Sequence, residues 1–296
     1  MNEFIKIPCN FHIPLHFDVP SALMSPYRGG GHFSTVVFPE CLDDMLEISR
    51  LLIESCAQYL IVGACGNTLV KDEGYNGIAI ITKHLKKISV KSETVTLGAG
   101  EYLPQISLKM AKAGLSGFES LSGIPATIGG AIAMNAGAFG REISELIDNV
   151  RVYDLIKHET VDYSAKEIPF SYRSTNGFFK SKIIISARFK LAVGSSETMR
   201  LKIIAFARNR AQTQPRQPSL GCVFKKINGV SAGKYIEDVG LKGLTVGGAR
   251  ISCEHANFIV NIGNGSATDY IKLMEIAKKE VFEKFKLCLE NEVVLV

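Results

Sequence analysis

Apolar residues recur at helical spacing in several segments of the chain. Between residues 42 and 58, Met45, Ile48 and Leu51 fall on one face of a helix. The same periodicity predicts four more helices, over 103–113, 195–211, 232–239 and 267–285. Short apolar runs predict strands over 59–62, 77–82, 87–90, 94–97, 150–153, 183–191 and 292–296. Because helices and strands do not alternate strictly, the pattern predicts an α+β fold.

Residues 121–140 interrupt this pattern with an uncharged, glycine-rich run. A membrane span needs about 20 residues of Leu, Ile and Val type. This run contains Gly, Ala and Asn135 instead, Pro125 fixes a turn near its start, and it has no aromatic belt. Glycine lets a backbone approach a large flat group or phosphate oxygens closely. The run therefore predicts a cofactor cradle, the alternative being a glycine-rich loop packed in a core.

Composition is that of a globular protein without a strong charge. The chain has 296 residues, 46% of them hydrophobic, and a net charge of +5. Its basic residues are dispersed, which argues against a nucleic-acid partner. Seven scattered cysteines without a C-x-x-C pair predict reduced thiols in a cytosol rather than disulfides or a metal site. The first ten residues have no apolar segment and predict no signal peptide.

Four local features suggest chemistry, although each has an ordinary structural explanation. After the predicted strand 59–62, Gly63 and Gly66 flank a turn whose amides could bind an anion, although this pattern alone favours a plain strand-to-turn corner. Arg173 follows an aromatic residue, as surface arginines often do. Cys222 follows a glycine in an apolar strand-like segment, where a structural thiol is common. Glu292 lies near the terminus, where charges are ordinarily solvated.

Together and in this order, the segments resemble the UDP-N-acetylenolpyruvoylglucosamine reductase family of flavoenzymes. The resemblance spans residues 26–293 and is carried by IVGACGNTLV at 61–70, LSGIPATIGGAIAMNAGAFG at 121–140, FSYR at 170–173, GCVFK at 221–225, AGKYIE at 232–237, GLKGLTVGGARIS at 240–252, HANFIVN at 255–261 and LENEV at 289–293. Only residues 174–182 separate Arg173 from the next predicted strand. The chain is therefore similar to the shorter form of the family, which lacks an extra tyrosine-bearing loop.

The resemblance implies a two-part FAD-binding fold of the vanillyl-alcohol-oxidase type with an α+β substrate-binding domain. The implied bounds are 1–83 for the first FAD subdomain, with a returning strand at 287–296, 84–191 for the second, and 192–286 for the substrate-binding domain. Implied cofactors are FAD and NADPH, and the implied substrate is UDP-N-acetylglucosamine enolpyruvate, reduced to UDP-N-acetylmuramate for peptidoglycan. The family context implies a cytoplasmic enzyme without metal, nucleic acid, membrane or obligate protein partner.

The resemblance also implies roles for individual residues. Arg173 matches the arginine that binds the substrate carboxylate, Cys222 stands where most members carry a proton-donating serine, and Glu292 matches a carboxylate that polarises the substrate or relays the proton. Non-covalent FAD is expected to contact Gly63, Ala64, Cys65, Gly66, Asn67, Thr68, Ser122, Gly123, Pro125, Thr127, Gly129, Gly130, Asn135, Ala136 and Gly137. Substrate is expected to contact Tyr172, Lys225, Lys226, His255 and Asn261.

Three departures from the family pattern bear on these roles. A thiol with a pKa of about 8.5 is mostly protonated at neutral pH and is a stronger acid than a serine hydroxyl, so Cys222 can donate. Lys226 and Ile227 replace the usual Asn-Pro, and PYRGGG at 26–31 replaces T-F-R-I-G-G. Two alternatives stay open: another flavin oxidoreductase of the same fold, or a non-catalytic flavin- or nucleotide-sugar-binding protein.

Overall fold

The computed structural model describes residues 11–296, so the predictions for residues 1–10, Cys9 among them, lie outside the described residues. Six α-helices are described: α1 (Leu42–Ser55), α2 (Leu103–Lys112), α3 (Ile128–Ala133), α4 (Ser196–Thr213), α5 (Ala232–Asp238) and α6 (Ala267–Phe285). The five predicted helices are confirmed as α1, α2 and α4–α6. The first ends at Ser55 rather than at 58, because Cys56 takes the left-handed conformation with φ of 49°.

Helix α3 was not predicted, and it lies inside the glycine-rich run. Two glycines disfavour a helix by about 1 kcal/mol each. The helix forms because Thr127 caps it, its hydroxyl accepting from the Gly130 amide at 3.2 Å, and because Ile128 and Ile132 are fully buried. The rest of the run is irregular up to a short hairpin. Among residues 11–296, no helix combines the length and the apolarity that crossing a bilayer requires.

The strands form three larger sheets and three two-stranded pairs in the described part of the chain. The first sheet has the order Leu15–Pro20, His32–Val37, Tyr75–Ile81, Tyr59–Val62. The second has the order Glu159–Ser164, Ile147–Asp154, Lys182–Lys190, Thr94–Gly98, Ile88–Lys91. The third has the order Ser219–Cys222, Phe258–Asn261, Ala249–Ile251, Thr245–Val246. The pairs are Gly137–Ala138 with Arg141–Glu142, Leu115–Ser116 with Ala192–Val193, and Thr68–Leu69 with Val294–Leu295.

All seven predicted strands are confirmed, although the terminal strand is only Val294–Leu295 instead of 292–296. Pattern reasoning did not identify Leu15–Pro20, His32–Val37 and Glu159–Ser164, nor the strands of the third sheet apart from the strand-like segment at Cys222. In Glu159–Ser164 the burial pattern contains no fully buried residue. This edge strand therefore has no apolar run of the kind that marked the others.

The chain divides into two compact units. Of the described residues, unit 1 comprises 11–16, Thr35–Ala64 and Gly77–Arg208, and unit 2 comprises Phe17–Ser34, Cys65–Asn76 and Asn209–Val296. Unit 1 has a core that includes Ile78, Leu97 and Phe189. Unit 2 has a separate core that includes Tyr270 and Val281. The division into three domains, with bounds at residues 83 and 191, stays a prediction.

Candidate active site and cofactor cleft

A cleft lies in unit 1, where Tyr59–Val62 ends beside α3. Its lining residues are Ile61, Val62, Gly63, Thr82, Gly129, Gly130, Ala133, Phe179, Lys182 and Ile184. Three of the glycines predicted to bind the cofactor therefore line one cleft. Most of the other lining is apolar, which suits the flat ring of a flavin.

Gly63 is where the main chain of the strand comes closest to α3. A Cβ at Gly63 would overlap the Thr127 hydroxyl and lie 3.5 Å from the Cα of Gly130. A larger residue would therefore push the helix cap away from the strand and deform the cleft. This close approach is what the glycine in the predicted turn provides.

The polar groups around the cleft decide where a cofactor can be held. The amides of Ile128 and Gly129 donate to Glu101 O and Ala99 O, both at 2.8 Å, so the start of α3 does not offer these amides to a phosphate. Lys182 supplies a cation, which donates to Phe178 O at 3.2 Å. Its side chain is only 18% exposed, and its ammonium lies 4.0 Å from the Asp154 carboxylate. Together with the glycines that line the cleft without side chains, this cation fits the expected FAD.

The segment 63–68 belongs to unit 1 up to residue 64 and to unit 2 from residue 65. Within unit 2, the Asn67 side-chain amide donates to Glu292 O at 2.7 Å, and Thr68–Leu69 pairs in parallel with Val294–Leu295. The segment thus anchors the C-terminal strand. The cofactor contacts predicted for Ala64, Cys65, Gly66, Asn67 and Thr68 stay predictions.

Asn135, also predicted to bind the cofactor, joins two loops of unit 1. It is 1% exposed, and its Nδ2 donates to Glu142 Oε2 at 2.7 Å and to Ser171 O at 2.9 Å. Its Oδ1 accepts from the Ser144 amide at 3.4 Å. These bonds tie the hairpin after α3 to the loop that carries Arg173. Contacts of Asn135 and of its neighbours in the run, Ser122, Gly123, Pro125, Ala136 and Gly137, with cofactor stay predictions.

Arg173 lies on that loop in a tight turn and has a φ of 53°. Its Nη2 donates to Gly137 O at 2.6 Å and its Nη1 to Asn135 O at 3.5 Å. The Glu142 carboxylate lies 3.8 Å from Nη1, and the guanidinium lies 5.0 Å above the ring of Tyr172. A Cβ at Gly137 would lie 3.1 Å from Nη1, so this position must be small. The predicted carboxylate-binding arginine is thus held from several sides.

The segments that carry Cys222 and Glu292 lie next to each other within unit 2, although the two residues are 70 positions apart in the sequence (292 − 222). Val223 O accepts from the amides of Glu292 at 2.8 Å and Val293 at 3.3 Å, and the Lys225 amide donates to Glu290 O at 2.9 Å. The two segments therefore run side by side. The structure places two of the predicted catalytic residues on neighbouring stretches of backbone.

Asn257 fixes the other side of the Cys222 segment. Its side chain accepts from the Phe224 amide at 3.0 Å and donates to Phe224 O at 2.8 Å, and its own O accepts from the Val223 amide at 2.8 Å. Asn257 is 3% exposed. Sequence reasoning included this residue only as a letter in the HANFIVN motif and gave it no role.

Two further groups in unit 2 interact electrostatically with Cys222. Burial lowers the pKa of Arg210, and the nearby Cys222 partly opposes that effect. Burial raises the pKa of Tyr270 well above its ordinary value, with Tyr27 and Cys222 adding to the effect. Arg210 was not singled out from the sequence because it is one of several basic residues on α4, and no motif marks it.

His255 and Asn261, both predicted to bind substrate, lie in unit 2. Burial lowers the pKa of His255, and its Nδ1 accepts from the Asn257 amide at 3.2 Å, which leaves the proton of the neutral ring on Nε2. The Asn261 side chain donates to Tyr27 O at 3.0 Å and accepts from the amides of Gly263 and Gly265, both at 3.0 Å. Asn261 thus braces backbone, and its predicted contact with substrate stays a prediction.

The two predicted substrate-binding lysines differ in their surroundings. The Lys225 ammonium lies 3.6 Å from the Glu290 carboxylate and its side chain is 28% exposed. Lys226 is exposed and leads into a turn closed by Ile227 and Val230. The long, exposed side chain of Lys226 can extend to an anionic ligand, whereas the asparagine that is usual at this position has a shorter, uncharged side chain.

Two family profiles match the chain. Residues 214–296 match the C-terminal domain of UDP-N-acetylenolpyruvoylglucosamine reductase, and residues 33–159 match an FAD binding domain. The UDP-N-acetylenolpyruvoylglucosamine reductase of Caldicellulosiruptor bescii is 36% identical over 294 residues, covering 98% of this chain and 93% of that protein. The enzyme of the same name from Carboxydothermus hydrogenoformans is 36% identical over 284 residues, covering 95% and 94%.

Solved structures agree with these sequence matches. The crystal structure of UDP-N-acetylenolpyruvylglucosamine reductase from Thermus caldophilus is similar with a TM-score of 0.81 and 32% identity, covering 96% of this chain and 98% of that one. Cholesterol oxidase from B. sterolicum is similar with a TM-score of 0.50 and 18% identity over 64% of this chain, a likeness of fold alone. The α+β fold with an FAD-binding part is confirmed.

Proposed function

We propose, since this chain belongs to the UDP-N-acetylenolpyruvoylglucosamine reductase family, that Arg173, Cys222 and Glu292 carry the charge and proton chemistry of its reaction. The protein is an FAD-dependent oxidoreductase that reduces UDP-N-acetylglucosamine enolpyruvate to UDP-N-acetylmuramate, a precursor of peptidoglycan. Bound FAD supplies hydride to the substrate, and we propose that FAD is itself reduced by NADPH. The observation that carries the residue assignment is the backbone pairing that brings the Cys222 and Glu292 segments together.

Arg173 is proposed to bind the carboxylate of the enolpyruvyl group. Reduction at the methylene carbon places negative charge on the adjacent carbon and, by conjugation, on that carboxylate. A guanidinium stays charged and binds a carboxylate bidentately. The carbonyls of Asn135 and Gly137 already orient the guanidinium, so little reorganisation is required when charge develops.

Cys222 is proposed to give its proton to the carbon next to the carboxylate. The thiol is half-buried, and its segment is fixed on one side by Asn257 and on the other by the Glu292 backbone. Glu292 is proposed to polarise the substrate or to relay the proton that restores the thiol. General acid catalysis by a placed group contributes about 100- to 10,000-fold.

Neutral and cationic side chains are proposed to bind the remainder of the nucleotide sugar. His255 is neutral because burial lowers its pKa, so its Nε2–H is a donor for an oxygen of the substrate. Lys225 and Lys226 are proposed to meet the diphosphate, and Tyr172, which is 40% exposed, to contact the sugar. Asn261 is proposed to support this region through the backbone of Tyr27.

The cleft beside Gly63 is proposed to hold the flavin without a covalent link. Gly63, Gly129 and Gly130 line the cleft without side chains, which leaves room for a flat ring, and Lys182 supplies positive charge. We further propose that the enzyme works in the cytoplasm on this small molecule alone. Dispersed basic residues with a net charge of +5 support a function without nucleic acid or a membrane surface.

The test uses the purified holoenzyme. We expect a yellow protein whose flavin is bleached by NADPH and recoloured without oxygen by UDP-N-acetylglucosamine enolpyruvate. Acid precipitation is expected to release the flavin into the supernatant. Flavin that is reduced but not reoxidised by the enolpyruvyl substrate would instead support a binding protein without turnover, and flavin retained on the precipitated chain would overturn the non-covalent assignment.

A further inference from the structure

Within unit 1, Arg173 lies beside a carboxylate, that of Glu142, which was not predicted from the sequence. Glu142 Oε1 lies 3.8 Å from Arg173 Nη1, and Glu142 Oε2 accepts from Asn135 Nδ2 at 2.7 Å. Asn135 also accepts Arg173 Nη1 on its backbone O at 3.5 Å. The three residues therefore form a closed cluster, in which Asn135 contacts both charged side chains.

The local fold fixes Glu142 firmly. It pairs with Gly137 across the short hairpin, and Gly137 O accepts from Arg173 Nη2 at 2.6 Å. Its amide donates to Glu145 Oε1 at 2.7 Å, and its side chain caps the turn Ile143–Leu146. The Glu142 side chain is 34% exposed and that of Arg173 is 19% exposed. A carboxylate held this way fixes the direction of the guanidinium rather than following it.

We propose that Glu142, braced by Asn135, is a positioning residue for Arg173. The proposal rests on the proposed function of Arg173 as the group that binds the substrate carboxylate. Glu142 and the two backbone carbonyls keep the guanidinium in one orientation before substrate arrives. Without the carboxylate, the guanidinium can rotate away from the orientation set by Gly137 O and Asn135 O, and the substrate carboxylate must then order it.

The expected consequence is a loss specific to the half-reaction that consumes the enolpyruvyl substrate. A displacement of about 1 Å costs on the order of 100-fold in rate, and partial freedom of Arg173 is expected to cost about 10-fold. Reduction of the flavin by NADPH does not involve the substrate carboxylate and is expected to stay within about twofold.

The experiment compares Glu142→Gln, Glu142→Asp and Arg173→Ala holoenzymes in stopped flow, with each half-reaction followed separately. Glu142→Gln keeps an oxygen for Asn135 and for the turn cap but removes the charge, so its thermal midpoint is expected to match that of the native protein. Glu142→Asp keeps the charge on a shorter side chain and is expected to recover part of the rate. Glu159→Gln, at an exposed carboxylate of the same unit, is the matched control and is expected to change neither half-reaction.

The double variant Glu142→Gln with Arg173→Ala decides how Glu142 acts. If Glu142 works through Arg173, adding Glu142→Gln to Arg173→Ala slows the substrate half-reaction no further. Calorimetric titration of the oxidised holoenzyme with substrate is expected to show weaker binding for Glu142→Gln but no added weakening in the double variant.

Each contrary outcome has a distinct meaning. A Glu142→Gln enzyme as fast as the native one, beside a slow Arg173→Ala enzyme, overturns the inference about Glu142 and leaves the role of Arg173 standing. Multiplying losses in the double variant also overturn it. A fast Arg173→Ala enzyme overturns the proposed function of Arg173 itself.

Discussion

Arg173 in unit 1 and Cys222 in unit 2 are held in place by different parts of the chain. The guanidinium of Arg173 makes these contacts itself: it donates to two backbone carbonyls and lies 3.8 Å from the Glu142 carboxylate. Beside Cys222, the backbone that follows it is fixed by hydrogen bonds: Val223 and Phe224 bond to Asn257 and to the Glu292 segment. In unit 1 the hydrogen bonds therefore fix the functional side chain of Arg173 directly, whereas in unit 2 they fix the main chain next to Cys222.

This difference predicts how tolerant each site is. A position whose neighbouring backbone is fixed accepts another side chain that performs the same chemistry, because the hydrogen bonds of Val223 and Phe224 use main-chain atoms that every side chain at 222 leaves in place. This explains physically how Cys222 can stand where most of the family carries serine. An arginine fixed through its own guanidinium depends on its head group, so a shorter or uncharged replacement loses both the placement and the charge.

The largest expected effect tests the tolerant site. Cys222→Ala is expected to lower turnover about 100- to 10,000-fold, because the proton donor is removed. Cys222→Ser is expected to keep substantial activity, because the backbone still places the hydroxyl. Both are measured as steady-state turnover, with Cys253→Ala, at an exposed cysteine of the same unit, as the control. Near-normal turnover in Cys222→Ala would show a structural thiol and remove the proton-donor role.

The next effect tests the side-chain-fixed site. Arg173→Ala is expected to slow the substrate half-reaction about 100- to 1,000-fold, corresponding to ~2.7–4 kcal/mol of lost charge stabilisation. Flavin reduction by NADPH is expected to be nearly unchanged in stopped flow. The control is Arg151→Ala, which removes an exposed pair with Asp162 at 2.6 Å and leaves the site intact. Equal losses in both half-reactions would point to a structural arginine.

A third variant tests whether the backbone places Cys222. Asn257→Ala leaves the Phe224 amide and carbonyl without their side-chain partner, and each buried polar group left unsatisfied costs about 1–3 kcal/mol. We expect a lower thermal midpoint together with slower turnover, because the segment loses its register. Asn209→Ala, at an exposed position of α4, is the matched control. If Asn257→Ala unfolds at a lower temperature but has normal turnover well below that temperature, the hydrogen bonds between Asn257 and Phe224 contribute to stability alone.

The smallest effect is a dependence of stability on pH. Burial lowers the pKa of His255, so the folded protein binds fewer protons than the unfolded chain as the pH falls through the ordinary value of 6.5. Stability is therefore expected to be greatest above that pH and to decrease as the pH falls below it. His255→Gln should flatten the curve of thermal midpoint against pH in this range. An unchanged slope would mean that His255 is not the group responsible.

Much of this protein could be predicted from its sequence, because periodicity and motif order are local properties of the chain. The helices α1, α2 and α4–α6 follow from apolar spacing, and the order of the motifs at Gly63, Arg173 and Cys222 identifies the family. Helix α3 could not be predicted in this way. Its two glycines oppose a helix locally, and only burial in the unit 1 core and the Thr127 cap stabilise it.

The tertiary structure alone decided which groups meet. Glu142 is simply a charge next to a glycine-rich run in the sequence, and Asn257 is one letter of a motif. Their roles arise because the hairpin brings Glu142 to Arg173 and the third sheet brings Asn257 to Phe224. Sequence determines residue chemistry and local propensity, whereas hydrogen bonds between residues such as Val223 and Glu292 depend on distances that exist only after the chain has packed.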